Sequence, residues 1–167
     1  MKEMGLLFEV VIPDVDEVHW DDDPEGTVKE NALRKCNCVS KKYPNSIVIA
    51  ADTIVAFEGK CLGKPRSLNE AKDMLRLFSG KTQTVYSGIA IATPNKSPDL
   101  FLETSDVHFC EISDDVIEKY HTLVHPLDRA GGYDIDSHSE LIISGYDGSF
   151  TNIMGLPKEI VEKVLCK

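Results

Sequence analysis

No apolar run in this sequence approaches the roughly 20 residues that a membrane-spanning helix needs. The opening Met1-Lys2-Glu3-Met4 has neither the apolar segment nor the cleavage site of a secretory signal. A cytoplasmic protein with no membrane partner is therefore expected. Positive charge is also scarce, and the formal net charge is −10. A surface that holds a nucleic acid polymer depends on clustered Lys and Arg, so no such partner is expected; a small anion held by a few local lysines remains open. The five cysteines, Cys36, Cys38, Cys61, Cys110 and Cys166, are odd in number and include no CxxC pair. Cys36 and Cys38, two apart on a helix, would point to different faces. Reduced thiols are expected, and a zinc site is not. His19, His108 and His138 lack a triad partner that spacing could supply, so nothing supports a serine or cysteine hydrolase. His121 and His125 have the spacing of a helical metal pair but no third ligand, and read as a wet helix end. No internal repeat or low-complexity tract occurs.

What is present suits one globular domain over 1–167: 42% of the residues are hydrophobic and 28% charged. Leu6 to Ile12 reads as a strand running into the acidic loop Pro13-Asp14-Val15-Asp16-Glu17. The acidic run Asp21-Asp22-Asp23 reads as a solvated loop. Thr27 to Glu30 has capping-box spacing, and Val28, Ala32, Cys36 and Val39 then recur at helical intervals until Tyr43-Pro44. Lys35 borders that apolar stripe, where it either snorkels or reaches into a site. Ser67 opens a second helix, with Leu68, Met74 and Phe78 as core and Ser79-Gly80 as its stop. Thr82 to Thr93 and Leu100 to Ile112 read as an antiparallel strand pair. Ser113 caps a third helix that turns Val116, Ile117, Tyr120 and Leu123 inward. Leu141 to Ser144 reads as a short strand and 145–152 as a loop. Pro157 starts a last helix with Ile160, Val161, Val164 and Leu165 facing the core.

The stretch from Ile47 to Pro65 stands apart. It begins as a β-branched run of the kind buried in a sheet, yet Asp52 and Thr53 interrupt it at its centre. A buried unpaired carboxylate costs several kcal/mol. Asp52 is thus expected either at a strand edge facing a cleft, a metal or a cation, or capping a turn. After the Glu58-Gly59 hairpin signal, Gly63-Lys64-Pro65 offers a lysine on a constrained backbone. Lys81 lies at an element junction, where ligand-binding groups collect. Carboxylates at Glu17 and Asp52 facing lysines at Lys35, Lys64 and Lys81 are what phosphate-ester chemistry requires: cations neutralise the phosphates while a carboxylate orients water.

Several segments occur in order: Phe8 to Glu17, Ala51-Asp52-Thr53, Leu62-Gly63-Lys64-Pro65, Phe78-Ser79-Gly80-Lys81, Val85-Tyr86-Ser87-Gly88, Asp128 to Tyr133, and Asn152 to Pro157. Together they resemble the Maf family of nucleoside triphosphate pyrophosphatases over nearly the whole chain. The resemblance implies an elongated α/β fold of two lobes around a twisted mixed sheet and a central cleft, similar to inosine triphosphate pyrophosphatases, and often a homodimer. It implies that Asp52 activates water, that Glu17 helps it bind Mg2+ or Mn2+, and that Lys35, Lys64 and Lys81 hold the triphosphate, with Thr53 beside the substrate. The implied reaction cleaves between the α and β phosphates of a surplus or non-standard nucleotide, releasing monophosphate and pyrophosphate.

Three departures accompany the match. The family's first strand and its Ser-Pro-Arg-Arg-like motif have no counterpart in these residues, which leaves a nucleotide-binding or regulatory protein with impaired turnover as the second reading. Gln83 stands where members often have His. Asp136 replaces a glutamine that contributes to base selection in the dTTP and UTP branch; a carboxylate there resembles the 7-methyl-GTP branch, since it accepts from guanine N–H donors. Asp52-Thr53 resembles the pyrimidine branch instead.

Overall fold

The computed structural model describes Gly5 and residues 7–165. Met1 to Met4, Leu6, Cys166 and Lys167 lie outside the described residues. A five-stranded sheet in the order β2-β1-β3-β4-β5 organises the chain. The β-branched run gives β1 (Val48–Phe57), and Glu58 and Gly59, at φ 50° and 79°, reverse the chain into β2 (Lys60–Leu62). The two long strands expected from the sequence are β3 (Thr82–Ala92) and β4 (Asp99–Phe109), and β5 (Ile143–Asp147) closes the far edge. Each pairing is antiparallel, where the resemblance implied a mixed sheet. Short connections after Phe57 and Ala92 account for two of these pairings, and the β4–β5 ladder carries a bulge between His108 and Phe109. In this register Asp52 lies opposite Gly88 and Thr53 opposite Ser87.

The pleat sends alternate residues to opposite faces, and both faces are covered. On one, α1 (Pro24–Lys42) packs Val28 against Ile54 and Cys61, and Ala32 and Cys36 against Val48, Ala90 and Ala92. The helix comes so close that a Cβ on Gly88 would sit 2.3 Å from the Val28 carbonyl oxygen. The other face carries the larger core, in which α2 (Leu68–Phe78), α3 (Asp114–Leu123) and the one-turn α4 (Phe150–Ile153) bury Leu75, Phe78, Ile117 and Tyr120 against Val85, Val107 and Phe109. The last helix, α5 (Lys158–Leu165), buries Val161.

Several expectations are corrected. Residues 7–12 form no strand: they run extended, pair with none of the described strands, and leave Leu7, Val10 and Ile12 exposed. Helix α1 starts before Thr27, since Asp23 is the cap, accepting from the Gly26 N–H at 2.8 Å, and Pro24 begins the first turn. Thr27 is buried instead, its hydroxyl donating to the Asp23 carbonyl at 2.8 Å. Leu68 and Leu123 are exposed, lying at helix ends off the stripes that face the core. Residues 145–152, expected as loop, complete β5 and build α4.

Candidate active site

Asp52 points from the middle of β1 toward α1, its side chain 11% exposed. Lys35 crosses from the helix, and its Nζ lies 2.6 Å from Asp52 Oδ1 and 2.7 Å from Glu17 Oε1. The lysine therefore reaches into the site, and one ammonium bridges the two carboxylates. Asn31, one turn earlier on the same face of α1, donates from Nδ2 to Asp52 Oδ2 at 3.0 Å, so both oxygens of Asp52 are held. Glu17 arrives on the acidic loop, which Asn31 also fastens to the helix through Val18. The close approach of α1 at Gly88, directly across from Asp52, sets these side chains over the strand.

Burial pulls the Lys35 ammonium down, but its hydrogen bonds to Asp52 and Glu17 and their two negative charges outweigh this, leaving its pKa above the ordinary lysine value. Lys35 is thus a fixed cation across the working pH range. Beside it opens a cleft of about 790 Å³ lined by Phe8, Val10, Lys35, Ile47 and Ala51, within the size range of small-molecule sites.

The remaining candidates lie elsewhere. Thr53 faces the opposite side of the sheet, sharing a hydrogen bond of 2.7 Å with Ser87 and donating to the Gly155 carbonyl at 3.2 Å. Lys64 is exposed two residues past Leu62, the β2 partner of Val55, and has no ion pair among the described residues. Lys81 sits at the outer end of β1, its Nζ 5.1 Å from the Phe57 ring centroid and 3.9 Å from Glu58. Asp136 is exposed in a loop, its N–H bonded to Asp134 Oδ1 at 2.9 Å. None of these four is bonded to the Asp52 cluster. Gln83 is buried in the larger core, donating to the Tyr133 hydroxyl.

Among the described residues no group of three or more His, Cys, Asp or Glu is placed to share a metal ion. Asp52 and Glu17 nonetheless converge on a single positive charge. Magnesium typically uses one or two carboxylates and completes its shell with water and phosphate oxygens, and that donor set fits this pair.

Residues 1–167 match the family described as Maf-like protein. The chain belongs to the Maf family. It is 38% identical over 167 residues to a dTTP/UTP pyrophosphatase of Thermotoga maritima, covering 99% of this chain and 81% of that protein. It is also 38% identical over 154 residues to a dTTP/UTP pyrophosphatase of Bacillus cereus and 37% identical over 154 residues to one of a Geobacillus species. Those stretches cover 92% of this chain in each case, and 80% and 82% of the relatives.

In this Maf family member the sequence reading missed Asn31. The signal was there: an amide three residues after Val28 and four before Lys35 borders a stripe that is otherwise apolar. Asn is a weak helix former, so on a buried helical face it calls for a hydrogen-bonding role.

Proposed function

We propose that this protein is a metal-dependent nucleoside triphosphate pyrophosphatase that hydrolyses dTTP and UTP to the monophosphate and pyrophosphate, working as a homodimer in the cytoplasm. The observation that carries the reading is the Lys35 ammonium bridging Asp52 and Glu17 at 2.6 and 2.7 Å in a chain of this family. The nucleobases are taken from the names of the relatives.

Asp52 is the base. Held by Asn31 on one oxygen and Lys35 on the other, it takes a proton from a water that attacks the α phosphorus. The bond from the α phosphorus to the bridging oxygen breaks, and pyrophosphate leaves with that electron pair. Lys35 keeps Asp52 and Glu17 in register, and Lys64, solvent-facing and without an ion pair among the described residues, receives the leaving group. Lys81, at the far end of β1 and outside the cleft, adds positive potential along the strand. A divalent cation held by Asp52 and Glu17 would neutralise phosphate charge and lower the cost of forming the leaving anion.

Pyrophosphate release from a nucleotide panel with Mg2+ or Mn2+ tests the reading. Turnover of dTTP and UTP is expected, abolished by chelation and reduced about 10²- to 10⁴-fold in Asp52→Asn. A preference for 7-methyl-GTP would reject the assigned bases, and no turnover of any nucleotide would reject the activity.

A further inference from the structure

We infer that Asn31 is a positioning residue that sets the two acidic groups of the site against each other. The inference rests on the proposed pyrophosphatase reading and deepens it. Asn31 is 2% exposed. Its amide makes three hydrogen bonds: Oδ1 accepts from the Val18 N–H at 2.8 Å, while Nδ2 donates to the Val18 carbonyl at 3.0 Å and to Asp52 Oδ2 at 3.0 Å. Both amide hydrogens are therefore used, one on each arm of the site.

The chemistry of these partners fixes the amide's orientation. Val18 N can only donate, and the Val18 carbonyl and Asp52 carboxylate can only accept. Rotated by half a turn, the amide would set its oxygen against two acceptors and its NH2 against a donor. Asn31 thus reads two different segments at once. It clasps the backbone of the residue next to Glu17 as a neighbouring strand would, and it holds the Asp52 oxygen that Lys35 does not hold. Lys35 holds the Glu17 carboxylate at 2.7 Å, but that side chain is 54% exposed, so the ion pair alone fixes the acidic loop weakly. Clamping Val18 fixes the loop at the backbone. Positioning matters because displacing a catalytic group by about 1 Å can cost about 10²-fold in rate.

The donor requirement also separates Asn31 from its nearest shape analogue. Asn31→Asp keeps the volume and the acceptor toward the Val18 N–H, but it turns two donors into acceptors facing a carbonyl and a carboxylate. Asn31→Leu keeps the approximate volume and loses all three bonds.

The test measures kcat and KM for dTTP together with amide hydrogen exchange at Val18, in the full chain and in both variants, with melting temperature as the check on folding. The expected result is a 10- to 100-fold fall in kcat with KM within about threefold of wild type in both variants, and faster exchange at Val18 in Asn31→Leu, which loses the acceptor that Asn31→Asp keeps. Should Asn31→Leu fail to fold, Asn31→Asp carries the kinetic readout. A variant that melts early yet keeps kcat within threefold overturns the positioning role, as does unchanged protection at Val18 in a folded Asn31→Leu. A wild-type protein with no turnover overturns the pyrophosphatase reading and this role together, whereas an active wild type with an unaffected variant overturns this role alone.

Discussion

At the scale of single residues, the site is built by pairing charges rather than by exposing them. Asp52 is tolerated in a strand core because Lys35 and Asn31 hold its two oxygens; without them its burial would cost several kcal/mol. A second residue is less well accommodated. Burial pushes the His121 imidazole below its ordinary pKa, and the Lys72 charge acts in the same direction, against a smaller opposing pull from Glu118. The unfolded chain therefore takes up a proton at His121 more readily than the folded one. That contribution to stability is complete above about pH 6.5 and is lost as pH falls below it. The melting temperature should accordingly drop more steeply between pH 7.5 and 5 in the wild type than in His121→Phe. Parallel pH profiles for the two proteins would dismiss the idea.

At the scale of elements, the decisive contact is α1 against β3 at Gly88. The helix brings Asn31 and Lys35 over Asp52 only because no side chain stands between Val28 and the strand. Gly88→Ala should push the helix outward, destabilise the fold by about 1–3 kcal/mol as overpacking does, and cut pyrophosphate release at least tenfold by separating Lys35 from Asp52. Gly145→Ala is the control: a Cβ there meets nothing within 4 Å, and neither property should change. Equal melting temperatures for Gly88→Ala and wild type would show that α1 is not held by this approach.

At the scale of the whole molecule, two cores share one sheet, the smaller under α1 and the larger under α2, α3 and α4. Neither can be lost without exposing a face of the same strands, so unfolding should be a single transition. The only tryptophan, Trp20, reports the α1 layer, since its backbone N–H donates to the Thr27 hydroxyl at 3.1 Å. Its fluorescence and the far-ultraviolet circular dichroism should give one midpoint, and for a homodimer that midpoint should rise with protein concentration. Two separated midpoints would divide the chain into independent units; a concentration-independent midpoint would argue for a monomer.

Much was decided by the order of residues alone. The β-branched run to Phe57, the Glu58-Gly59 reversal, the Ser67 and Ser113 caps and the alternation in β3 and β4 are local signals, and each produced its element close to the expected place. The oddity of Asp52 was legible too, because a charge among apolar residues demands a partner, whereas Glu17 and Lys35 stood out only as charged groups near element ends. Which partners met was not legible. Strand pairing and the stacking of α1 on Gly88 brought residues 17, 31, 35 and 52 together, while the pleat turned Thr53 to the other face and strand length left Lys81 at the far end of β1. Leu7 to Ile12 shows the same limit from the other side: its residues favour a strand, but a strand also needs a hydrogen-bonding neighbour, and that neighbour is a property of the fold rather than of the segment.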